Sequence, residues 1–248
     1  MYGVAMLGFA SLYFIYASHR PGPAVGPPWF PGNPFGAYFM TIALLAAGAA
    51  IATGKMRRPA AALLSALLLL RFAFLHLPGL IMHSHDPGPW TSSFEILALC
   101  GAAMVLAYAG PFEGPRAGPT NASMGVLANV GCFLFAISLV IFGVQHFMYA
   151  KFVATLVPAW IPARLFWAYF VGAAFFATTL SLITRVMARL AATLLGIMFL
   201  IFVVTTHIPR VAAARSNGNE WTSAFVALAM AGSAFIIAGA LRAKRLHE

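Results

Sequence analysis

Eight stretches of this chain are long and apolar enough to cross a lipid bilayer as helices, and nothing else in the sequence constrains its fold as strongly. They lie at about 1–17, 36–54, 59–78, 92–110, 124–149, 165–183, 188–207 and 222–241. A hydrocarbon layer of about 30 Å needs about 20 residues at a rise of about 1.5 Å each. The chain is 62% hydrophobic and only 8% charged, against about 25% charged residues in a soluble domain. The expected fold class is therefore all-α: a polytopic membrane protein of eight spans, with the lipid bilayer as its first partner. The first run barely reaches across. No basic segment precedes it as in a signal peptide, so a span with a shortened start is expected.

The chain also repeats itself. Shifted by 131 residues, Ala37-Tyr-Phe39 falls on Ala168-Tyr-Phe170, His76-Leu-Pro78 on His207-Ile-Pro209, and Trp90-Thr-Ser92 on Trp221-Thr-Ser223. Pro27-Pro-Trp-Phe-Pro31 likewise falls on Pro158-Ala-Trp-Ile-Pro162. So long a period fits a duplicated bundle and not a solenoid. Residues 1–110 and 124–248 are read as two four-helix units, joined by a breaker-rich connector at 111–123. Each unit reads as helix, long outer loop, helix, tight basic inner turn, helix, long outer loop, helix. An even number of spans gives both units one orientation, so the repeats are parallel.

Charge sets the expected topology. Lys55, Arg57, Arg58, Arg116, Arg185, Arg189, Arg242, Lys244 and Arg245 fall on one side of the eight-span scheme. Basic residues favour the cytoplasmic face, so both termini are expected inside a bacterial inner membrane. The net charge of +10 is then a topology signal, and no basic groove for nucleic acid is present. Cys100 and Cys132 lie inside helices without a C-x-x-C pattern and read as small buried residues.

The segments Phe142-Gly-Val-Gln-His-Phe147, Val157 to Gly172, Arg189 to Gly196 and His207-Ile-Pro209 resemble the DoxX-like family of bacterial membrane proteins. The resemblance covers nearly all of the second unit and the first more loosely, because helix 1 lacks the Gly-Val-Gln-His segment. It implies a four-helix bundle, with some members associated with quinone-linked or thiol-linked redox complexes. It does not imply one reaction.

Several residues could carry chemistry. Arg71 and Glu95 lie within helices, where ionisable side chains are costly and rarely idle. Their counterparts, Phe202 and Val226, are both apolar, so the two charges come and go together as an intramembrane ion pair would. The pair reads either as a structural bridge or as a functional element: a charged cavity wall, a proton relay or an anion site. His76 and His207 share one repeat position, and His146 lies at a similar depth in the second unit, where the first has Ile15. With Trp160 and Trp29 at headgroup level, these histidines could hold a quinone or lipid-like ligand, or simply cap helix ends. A bis-histidine haem is disfavoured, since such sites usually lie deeper. His83, His85 and Asp86 offer metal-capable groups on one short segment, against the alternative of a solvated loop.

No nucleophile–histidine–acid set, phosphate loop or paired carboxylates appear, so no catalytic residues are expected and autonomous enzyme activity stays open. Three functions are compatible with this pattern. The first is a subunit or accessory protein of a bacterial respiratory or redox complex, holding a quinone or lipid-like molecule near the outer face beside membrane or periplasmic partners. The second is a purely structural anchor. The third, a small-solute transporter, is disfavoured by the nearly apolar inner halves of the helices.

Overall fold

The computed structural model describes residues 1–17, 34–109 and 122–245. The connector and Trp29 lie outside the described residues. Among the described residues there are nine helices and no strand: α1 (Tyr2–Ala17), α2 (Pro34–Thr53), α3 (Arg57–Met82), α4 (Pro87–Tyr108), α5 (Ala122–Met148), α6 (Ala150–Leu156), α7 (Arg164–Thr184), α8 (Ala188–Ala213) and α9 (Gly218–Arg245). Seven of these, α2 to α5 and α7 to α9, are long and apolar enough to span a membrane, while the apolar part of α1, Tyr2–Ile15, is shorter. The protein is thus an all-α, multi-pass membrane protein, and each of the eight expected runs is a helix.

One expectation needs correcting. The outer loop between the third and fourth helix of each unit is not long. The apolar runs were expected to end at 78 and 207, yet α3 and α8 run on to Met82 and Ala213. Proline lacks an N–H and its ring collides with the carbonyl four residues back. Both helices absorb this with a π-helical turn, Phe72–His76 and Val203–His207. In each, the N–H after the turn reaches five residues back, from Leu77 to the Phe72 carbonyl and from Ile208 to the Val203 carbonyl. With each helix carried past its proline, only a short turn is left before the next, at 83–86 and at 214–217.

The repeat holds down to single contacts. The Trp90 indole N–H donates to the Ser84 carbonyl at 2.8 Å, and the Trp221 indole to the Arg215 carbonyl at 2.9 Å. Each ring also stacks on the phenylalanine one helical turn further on, Trp90 on Phe94 at 5.8 Å and Trp221 on Phe225 at 6.0 Å. At the tight basic turns, Gly54 and Arg185 occupy the same repeat position with φ of 75° and 62°. Glycine enters this region freely. Arg185 does so while its guanidinium donates to the Asn129 side-chain oxygen at 3.3 Å.

Packing joins the two units more closely than a tandem of separate bundles would. Within each unit consecutive spans are neighbours: α1–α2–α3–α4 and α5–α7–α8–α9. The units then meet along three seams, α4–α5, α1–α9 and, between the fourth helices of the two units, α4–α9. An exchange of the units turns α4–α5 into α9–α1 and leaves α4–α9 in place, the pattern expected of a pseudo-twofold axis. One hydrophobic core draws residues from α1 to α5 and from α7 to α9.

The α4–α5 seam is tight because it is glycine on glycine. A Cβ on Gly131 would stand 2.5 Å from the Gly101 carbonyl oxygen, and one on Gly101 would run into the Gly131 carbonyl. Without water to drive association, such close backbone contact is what holds membrane helices together. At the related seam, a Cβ on Gly232 would stand 2.5 Å from the Tyr2 backbone nitrogen.

Candidate functional site: a polar-tipped cavity in the first unit

A partly open cavity of about 320 Å³ lies in the first unit, lined by residues of α1, α2, α3, α4 and α9. Most of its lining is apolar, with Met6, Leu44, Leu68 and Leu99 among the contributors. Its polar lining consists of Tyr13, Arg71, His76, Ser92, Glu95 and Thr222. Thr222 and Val226 come from α9, so the second unit supplies one wall of the first unit's cavity.

Arg71 ends the regular part of α3 immediately before the π turn. Its guanidinium lies over the Tyr13 ring of α1, 5.4 Å from the centroid, where the ring's negative face attracts a cation. The expected ion pair with Glu95 is not formed. Between described residues the ion pairs within 4.0 Å are His83–Asp86 and Arg210–Glu220. Arg71 and Glu95 therefore share a cavity without sharing a contact, because the guanidinium reaches toward α1 while Glu95 projects from α4. Of the sequence readings, the geometry is that of the charged cavity wall and not of the bridge.

His76 closes the π turn of α3. Its Nε2 is buried without a hydrogen-bond partner, as is Nδ1 of its counterpart His207. The His76 carbonyl accepts a hydrogen bond from the Ser93 hydroxyl at 3.4 Å, which fixes the turn against α4. Of the histidines considered from sequence, His76 reaches the cavity; His146 and His207 do not.

At three of the corresponding positions the second unit carries aromatic rings. Leu44, Leu68 and Arg71 have Phe175, Phe199 and Phe202 as repeat counterparts. Phe175 and Phe199 are 5.8 Å apart, Phe199 and Phe202 6.0 Å, and Phe142 joins Phe175 at 6.1 Å. His146 belongs to this packing. Its Nδ1 is 2.8 Å from the Phe142 carbonyl, one turn back, and its ring meets Phe175 edge-on at 5.1 Å.

Trp160 is 72% exposed and stands apart from the cavity. His83 and Asp86 approach to 3.8 Å on the exposed turn, but His85 does not complete a set. Among the described residues no three His, Cys, Asp or Glu side chains gather around a possible metal position. The turn is too short and too open to aim them at one point.

No family model, curated protein or solved structure matches the chain.

Two features escaped the sequence. Tyr13 lies in an apolar run and carries no signal of its own. Arg210 and Glu220 form a bidentate pair at 2.8 and 2.9 Å across the 214–217 turn. Their repeat counterparts are Gly79 and Pro89, so the same comparison that singled out Arg71 and Glu95 would have found them.

Proposed function

We propose that this protein is a membrane subunit that holds one small amphipathic molecule, of the quinone or lipid-like class, in the cavity of its first unit. One observation carries this reading: among the described residues Arg71, His76 and Glu95 line one largely apolar cavity, while the repeat counterparts of Leu44, Leu68 and Arg71 are phenylalanines that pack on one another. Ionisable side chains in a largely apolar membrane cavity are costly unless something meets them, and a ligand with a polar head and an apolar body would meet them while filling the space below. The ligand expected near His146, His207 and Trp160 belongs, on this reading, beside Arg71 and His76 instead. Association with a redox complex, as the DoxX-like resemblance implies, is the proposed setting.

The test is gentle purification from the native membrane, with co-purifying molecules and chains identified by mass spectrometry. The reading expects one amphipathic molecule per chain, lost from an Arg71→Phe/Glu95→Val double variant that copies the second unit. Wild-type protein that carries nothing the double variant lacks would leave the structural-anchor reading in its place.

A further inference from the structure

The charges on the cavity wall specify the headgroup, provided that the cavity is a binding site as proposed above. Arg71 and Glu95 line one otherwise largely apolar space, and they are not within ion-pairing distance of each other. Both side chains are half-buried, and ionisable groups inside a membrane protein are costly and are retained where something meets them. Their absence together from the second unit, as Phe202 and Val226, ties both to the space that is open.

We infer that the ligand bridges the two, presenting an anion or hydrogen-bond acceptor to Arg71 and a hydrogen-bond donor to Glu95. A simple fatty acid would satisfy Arg71 and set a second negative group in the same space as Glu95. A simple long-chain amine would do the reverse. A headgroup with both functions, such as an amino or hydroxy carboxylate or a hydroxylated ring carbonyl, satisfies both. His76 and Ser92 add further polar lining to the same wall. The apolar lining by Leu44, Leu68 and Leu99 takes the hydrocarbon part.

Three probes with equal chains separate these cases: dodecanoate, dodecylamine and 2-aminododecanoate, each titrated onto the full-length protein in nanodiscs and followed by native mass spectrometry. The bifunctional probe should bind at least tenfold more tightly than either of the others. In Glu95→Val its advantage over dodecanoate should vanish, and in Arg71→Phe its advantage over dodecylamine should vanish. Dodecanoate or dodecylamine binding as tightly as 2-aminododecanoate to the wild type would overturn the bridging headgroup and leave the cavity reading standing. Binding of all three that is equal in the wild type and the Arg71→Phe/Glu95→Val variant would overturn the cavity reading itself.

Discussion

The Arg71 guanidinium lies over the Tyr13 ring at 5.4 Å and so ties α3 to α1 across the cavity. Glu95 shares the cavity and is left without that cation as an ion-pair partner. Such a contact between partly desolvated groups contributes about 1–2 kcal/mol. Tyr13→Leu should therefore lower the unfolding free energy in detergent by about that amount, whereas Tyr13→Phe, which keeps the ring, should stay near wild type.

Copying the second unit into the first should close the cavity. Leu44→Phe, Leu68→Phe, Arg71→Phe and Glu95→Val together reproduce the side chains at 175, 199, 202 and 226. Replacing buried charges by packed apolar groups is often neutral or stabilising by about 1–4 kcal/mol. The quadruple variant should melt at or above the wild-type temperature and retain no ligand. Phe199→Ala, which opens the second unit, should cost about 3 kcal/mol or more. Thermal unfolding in matched detergent checks both.

The Arg210–Glu220 clamp spans the 214–217 turn by two charge-assisted hydrogen bonds. Arg210 is 39% exposed, so solvent screens the pair and its contribution stays within about 1 kcal/mol. Glu220→Gln should cost that or less, with the difference shrinking as salt is raised, in a chemical-denaturation series at two ionic strengths.

Glycine at the α4–α5 seam should tolerate no added carbon. Gly101→Ala places a methyl against the Gly131 backbone and should destabilise by about 1–3 kcal/mol. Gly79→Ala, with open space around its Cβ, should be close to neutral by the same SDS-unfolding measurement.

The orientation expected from the basic turns is checked by single cysteines. Ser84→Cys should react with an impermeant thiol reagent added outside intact cells, and Lys55→Cys only after permeabilisation. Cys100 and Cys132 are buried and should stay silent. The reverse pattern would place the basic turns outside.

The helices were legible because a bilayer demands apolar runs of a fixed length, and the runs are plain in the sequence. The continuation of α3 and α8 past Pro78 and Pro209 was not. A proline's cost is local, and a π turn that removes it depends on backbone hydrogen bonds that composition does not display. The repeat singled out the two charged positions, and both line one cavity. Pairing them was an inference from their neighbouring helices, and the direction in which the Arg71 side chain reaches was not contained in that adjacency.

Sequence alone determined an all-α membrane chain, its duplicated units and the residues in which the units differ, because hydropathy and period are properties of order along the chain. Tertiary structure decided that α9 walls the first unit's cavity and that Arg71 meets Tyr13. It also decided that the phenylalanines of the second unit meet one another. Leucine and phenylalanine are nearly equivalent as apolar residues, but ring volume and the approach of neighbouring helices determine whether the space between them is filled or left open.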